Sequence, residues 1–244
     1  MSKPPIVLVH GAWAGGWAWA RVLAPLRAAG HAVHAVTLSG CGERRHLLRP
    51  DITLQTHVAD VVGLAECEEL RDAVLVGHSY GGLVVTGAAD ALLARGRDRL
   101  RQLVYVDAQV PLPGECWSSQ HSDEVRAARS AAAAASGLHA LPPPDPSGFG
   151  LAGPDRDWLL RRQGPHPFGA YLEPLHFDAE RLARVPRAFI DCVAPAYPTI
   201  APMRARVRAT PGFTVVEMAT GHYPQIQAPA DFAALLLELV ARAA

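Results

Sequence analysis

Gly77-His78-Ser79-Tyr80-Gly81 is a G-x-S-x-G pentapeptide with an apolar run before it, Ala73 to Val76, and an Ala-rich segment after it, opened by Leu83, Val84 and Val85. The bare pattern is common. Its setting, a short buried strand running through one sharp turn into a helix, is that of a nucleophile elbow. Such a turn strains the serine backbone, and glycines two before and two after it leave room for strand and helix to approach. The strain lifts Ser79 Oγ off the end of the strand and aims the Tyr80 N–H at the same point. A serine hydroxyl is a poor nucleophile at neutral pH and needs an adjacent base. Of the eleven histidines, His222 in Thr220-Gly221-His222-Tyr223 is the one placed for that role, on a loop directly after the strand-like run Val215 to Met218. The expected chemistry is acyl transfer through a serine. Two preorganised donors must hold the developing oxyanion. Tyr80 N–H is one, and Ala12 N–H, in the loop after the first strand, is the expected other, with Gly11 letting the chain turn. His10 reads as a structural residue at a strand end. His78 should face away from substrate, because the turn presents only one side chain.

These groups need a scaffold, and the chain supplies one in regular alternation. Pro5 to His10 reads as a buried strand, Trp17 to Ala29 as a helix stopped by Gly30, and His31 to Thr37 as a second strand. Thr53 is the expected cap of a helix running to about Glu69. The elbow strand and helix follow, then a strand from Leu100 to Val106 that ends at Asp107. Later come a strand at Arg187 to Cys192, a helix around Thr199 to Arg208, a strand at Phe213 to Met218 and a last helix from about Ala230. This alternation implies an α/β fold, a mostly parallel central sheet with helices on both faces. Between 111 and 185 the pattern breaks down amid prolines and an alanine run. That is too long for a structureless connector, so residues 111–185 are expected to form a helical cap inserted into a core of 1–110 and 186–244. Trp117, Trp158, Phe168 and Tyr171 suggest that it packs down, roofing Ser79.

Composition narrows the function classes. A chain of 244 residues, half of them hydrophobic, can bury one sizeable core. Lys and Arg together number 23, as do Asp and Glu, so nothing argues for nucleic acid or an anionic membrane surface as partner. The N-terminal residues lack a signal-peptide layout, and no apolar stretch is long enough to span a bilayer. Four scattered cysteines without a C-x-x-C pair fit reduced thiols better than a disulfide frame or zinc site. The expected location is cytoplasmic.

Five stretches carry a resemblance: H-G-A-W-x-G-G-W-x-W from His10, T-L-S-G-x-G-E-R from Thr37, L-x-T-H-V-x-D-V from Leu54, G-H-S-Y-G-G from Gly77, and T-G-H from Thr220. Together they resemble the plant methylesterase and hydroxynitrile lyase branch of the α/β-hydrolases and its bacterial relatives. The resemblance spans the core and fades inside the cap. It implies a Ser-His-Asp esterase with no cofactor and no metal, acting on small esters, with oxyanion donors matching Ala12 and Tyr80. The lyases are known for a lysine just after the histidine. Tyr223 stands there and Lys3 is the chain's one lysine, so cyanohydrin cleavage is not expected.

A second departure concerns the acid. The family's carboxylate normally follows the strand at Arg187 to Cys192, yet Cys192-Val193-Ala194-Pro195-Ala196-Tyr197-Pro198 contains none. Three explanations stay open at this point. Asp107, at the tip of the strand beside the elbow, takes the role; or Asp191, within its strand, reaches His222; or a water or backbone carbonyl orients the imidazole. The functional expectation is a serine hydrolase of a small carboxylic ester or thioester. An acyltransferase or cyclase using the same Ser-His pair is the first alternative, and a non-catalytic ligand-binding protein of this fold the second.

Overall fold

The structure, a computed structural model, describes residues 3–243. Its strands are β1 (Ile6–Val9), β2 (Val33–Val36), β3 (Ala73–His78), β4 (Leu100–Val106), β5 (Ala140–Leu141), β6 (His166–Pro167), β7 (Arg187–Cys192) and β8 (Phe213–Met218). Six of them form one parallel sheet in the order β2-β1-β3-β4-β7-β8, while β5 and β6 pair as a small antiparallel ribbon. The sequences of β1 (IVLV) and β3 (AVLVGH) are buried at every position. Strands covered on both faces need such continuous apolar runs. The edge strands β2 and β8 are only partly buried.

The helices are α1 (Ala20–Ala28), α2 (Leu54–Cys67), α3 (Gly81–Leu93), α4 (Asp123–Ala135), α5 (Gly153–Leu160), α6 (Gly169–Leu172), α7 (Ala179–Ala183), α8 (Ala201–Ala209), α9 (Pro224–Gln227) and α10 (Pro229–Arg242). Side chains alternate between the two faces of the sheet, as strand periodicity requires. Ile6, Leu8, Val74, Val76, Val104 and Val106 share a core cluster with Val22 and Leu26 of α1 and with Phe232 and Leu236 of α10. Val7, Val9, Leu75, Leu103 and Tyr105 meet residues of α2, α3 and α8 on the opposite face. No helix among the described residues is long and apolar enough to cross a membrane.

Local detail differs from the sequence expectation in a few places. The helix expected from Trp17 begins as a 3-10 turn, Gly16–Trp19, before α1 starts. The second strand is limited to its four central residues, and a 3-10 turn at Pro198–Ile200 precedes α8. Thr53 does cap α2, sharing a reciprocal capping box with Thr56. Between β4 and β7 the chain forms α4 to α7 and the β5–β6 ribbon. Trp117, Phe168, Tyr171 and Leu175 of this segment are buried in the same cluster as the α2 and α3 face.

Strand order sets where chemistry can happen. β1 leads outward to β2 on one side, whereas β3 lies on its other side, so the loops after β1 and β3 diverge at a topological switch point. Open parallel sheets bind ligands in the crevice that such a point leaves at the strand C-termini. Ala12 follows β1, Ser79 follows β3, Asp107 follows β4 and His222 follows β8.

Candidate active site

The elbow is as tight as its glycines imply. Ser79 has φ of +53°, a left-handed conformation that costs a non-glycine residue energy. A Cβ on Gly77 would stand 2.5 Å from the Gly81 carbonyl oxygen, and one on Gly81 would stand 2.7 Å from that of Val9. The turn is pinned from the neighbouring strand: Ser79 N–H donates to the Val106 carbonyl (3.2 Å), and Gln109 N–H donates to the Ser79 carbonyl (2.9 Å).

His222 arrives from 143 residues downstream, with Nε2 2.9 Å from Ser79 Oγ. Its Nδ1 lies 2.6 Å from Asp107 Oδ2. A carboxylate on Nδ1 fixes the tautomer that carries its proton there, leaving the Nε2 lone pair to accept the serine hydroxyl. Two backbone contacts hold the loop: His222 N–H donates to the Phe149 carbonyl (3.1 Å), and His78 Nε2–H donates to the His222 carbonyl (2.7 Å). Burial, then neighbouring His222, pushes the His78 imidazole well below its usual range, so it stays neutral. His78 thus turns away from Ser79 and anchors the histidine loop instead.

The structure brings together Ser79, Tyr80, Asp107, His222 and Ala12. Ala12 lines the cavity with Ser79 and His222. Among the described residues, neither Ala12 N–H nor Tyr80 N–H donates to a loop or turn hydrogen bond. The Ala12 amide is oriented through its own peptide unit. Leu38 N–H donates to His10 Nε2 (3.1 Å), which leaves His10 Nδ1–H to donate to the Gly11 carbonyl (2.7 Å). A trans peptide then points the Ala12 N–H the opposite way. Burial holds His10 at about 4, so it keeps this neutral form. Gly11 acts differently from expectation: it has no left-handed φ, which falls instead on Trp13 (φ +63°). What Gly11 supplies is closeness, since a Cβ there would stand 2.9 Å from both His78 Nδ1 and Ser79 Cβ. The Tyr80 side chain is buried, its hydroxyl donating to His57 Nδ1 (2.9 Å) while His57 Nε2–H donates to the Ser39 carbonyl (2.9 Å).

A family model for the alpha/beta hydrolase family matches residues 6–235. The chain belongs to that family. It is 38% identical to the carbendazim hydrolyzing esterase of Nocardioides sp. (strain SG-4G), over 96% of this chain and 98% of that protein. Methylesterase 3 of Arabidopsis thaliana is 29% identical over 97% of this chain and 96% of its own length. Among solved structures, an extracellular alpha/beta-hydrolase from a Paenibacillus species superposes with a TM-score of 0.84, covering 97% of this chain and 99% of that one. Its identity is 22%, so it speaks for the fold alone.

Within this alpha/beta hydrolase the turn after β7 carries no carboxylate and presents an aromatic ring. Tyr197 packs on His222 with ring centroids 4.3 Å apart. Asp191 does not reach His222. It is 1% exposed and accepts from Arg204 Nε (2.5 Å) and Arg208 Nη2 (2.7 Å). Arg204 went unremarked in the sequence, yet its Nη2 donates to Asp107 Oδ1 (2.6 Å) and its Nη1 to the Tyr197 carbonyl (2.7 Å). No local spacing signals it, because its partner lies 97 residues away. Asp107 is fully buried with φ of +41°, held between an imidazole and a guanidinium. The space left above Ser79, about 10 Å³, holds about one water-sized sphere. Trp117, Arg129 and Phe149 from the segment between β4 and β7 form part of its wall. Among the described residues no group of His, Cys, Asp or Glu is arranged to hold a metal.

Proposed function

We propose that the protein is a serine esterase of small carboxylic esters, with Ser79 as nucleophile, His222 as general base and acid, and Asp107 as the acid of the triad. The observation that carries this reading is the unbroken line of contacts from Ser79 Oγ through the imidazole to the Asp107 carboxylate, at 2.9 and 2.6 Å. Ser79 Oγ attacks the ester carbonyl while His222 Nε2 takes its proton. Asp107 stabilises the imidazolium without itself becoming protonated. The oxyanion settles between the N–H groups of Ala12 and Tyr80. His222 then returns the proton to the leaving alcohol, and a water attacks the acyl-enzyme by the same relay. Residues 111–185 serve as the cap over this site.

Thioesters follow the same chemistry and fall within the proposal. The relatives named for ester hydrolysis favour water as the acceptor over a transferase or a silent binder. Cyanohydrin cleavage has no support, since buried Tyr223 follows the histidine and no lysine is near. Four free thiols fit a reducing compartment, and we place the enzyme in the cytoplasm. A p-nitrophenyl ester series tests the reading. Turnover is expected in the wild type and should fall by about 10⁶ in Ser79→Ala; activity that survives this change would remove Ser79 from the mechanism.

A further inference from the structure

Arg129 is the one permanently charged side chain among the residues lining the cavity over Ser79, and no carboxylate lines it. It projects from α4 into a box of aromatic rings, its guanidinium carbon 4.9 Å from the Trp117 centroid, 5.0 Å from Tyr171 and 5.8 Å from Trp13. Arg126, one turn earlier on the same helix, has the ordinary surface partner, Asp123. Arg129 has none: among the described residues it forms no ion pair, and its buried Nη1 has only the neutral Tyr171 hydroxyl, itself otherwise unpartnered, beside it. Trp13, from the loop after β1, also lines the cavity, and its Nε1–H is likewise buried and unpartnered. A buried cation without an anionic partner and an unpartnered indole N–H therefore lie together beside the nucleophile.

Buried donors left without acceptors cost stability unless something else satisfies them. Aromatic faces cover the plane of a guanidinium but do not accept along its edge, where the N–H groups point. A planar anion meets that edge with two parallel hydrogen bonds. Resting on the esterase reading above, we propose that Arg129, aided by Trp13, is a specificity-determining residue that recognises a carboxylate on the substrate, so that the preferred esters are half-esters of short dicarboxylic acids. The chemistry is unchanged. The acyl C–O bond breaks, water supplies the new oxygen, and the products are the alcohol, a dicarboxylate and one proton.

The test compares monoethyl glutarate and monoethyl adipate with the ethyl esters of the corresponding monoamides, which are isosteric and uncharged. Wild-type kcat/KM should favour the acids by about tenfold or more, the range of a charge-assisted hydrogen bond. That ratio should collapse towards one in Arg129→Gln and stay intermediate in Arg129→Lys. A wild-type ratio of one or less, or a ratio that survives in Arg129→Gln, would overturn the proposal. Calorimetry on Ser79→Ala, which needs no turnover and leaves Arg129 in place, should find the acids bound about tenfold tighter than the amides; equal binding also overturns it. If the wild type hydrolyses neither ester while calorimetry keeps the preference, the esterase reading falls and the anion site stands. Equal hydrolysis of acid and amide has the reverse meaning.

Discussion

Asp107 serves two donors at once, accepting from His222 with one oxygen and from Arg204 with the other. Arg204 in turn ties Asp107 to Asp191, so two buried carboxylates share one guanidinium that is itself mostly covered. Removing one partner from such a network leaves charge stranded in a medium that solvates it poorly. Arg204→Met should therefore cost about 3–5 kcal/mol of stability and lower kcat more than it raises KM, because it loosens the carboxylate that orients the imidazole. Urea unfolding and steady-state kinetics check both; a stable, fully active variant would reduce Arg204 to a bystander. This network also marks the boundary of what the residues disclosed in advance. Ser79 and His222 were legible because strand, turn and loop context is local. The acid was not, since Asp107 and Asp191 both sit at or near a strand end and only the long-range contact of Asp107 with His222 tells them apart.

At the scale of elements, the site depends on how closely backbones approach. Gly82, in the first turn of α3, is the tightest case: a Cβ there would stand 2.0 Å from the carbonyl oxygen of Gln109. That carbonyl belongs to the segment whose amide, Gln109 N–H, holds the Ser79 carbonyl, two residues after Asp107. Gly82→Ala must push α3 away from the chain after β4, which costs about 1–3 kcal/mol, as overpacking does, and shifts nucleophile and acid relative to each other. Thermal melts and ester turnover should both fall. Stability unchanged to within about 0.5 kcal/mol would show that the two elements are not packed this way. The same geometry explains why the contact role of Gly11 is not legible in the sequence. A glycine that permits a turn and one that permits contact look identical in one dimension, and here the turn's strain fell on Trp13 while Gly11 made room for Ser79 and His78.

For the molecule as a whole, burying imidazoles makes stability depend on pH. Burial holds His10 and His57 at about 4, against an ordinary 6.5, and keeps His78 and His166 well below that value. Below about pH 6.5 the unfolded chain takes up protons that these native histidines refuse, so unfolding is favoured. Their contribution is intact above 6.5 and drains as pH falls towards 4, by about 1.4 kcal/mol per pH unit for each histidine. Urea midpoints should drop steeply between pH 6.5 and 4; a flat profile over that window would mean that the imidazoles are not buried neutral. The overall α/β alternation was readable because buried parallel strands are short apolar runs bounded by turns, as at Val7–Val9 and Val74–Val76. The segment between β4 and β7 was readable only as an interruption. Its short helices owe their positions to tertiary contacts such as Trp117 and Tyr171 against the core rather than to any repeating pattern.

The relay from serine to carboxylate is tested most directly by the rate at which a fluorophosphonate labels the protein, with the modified peptide mapped. Label should appear on Ser79 in the wild type, slow by about 10⁴ in Asp107→Asn, as loss of the acid does in a serine triad, and slow further in His222→Ala. Label on another residue, or equal rates in all three proteins, would contradict the account.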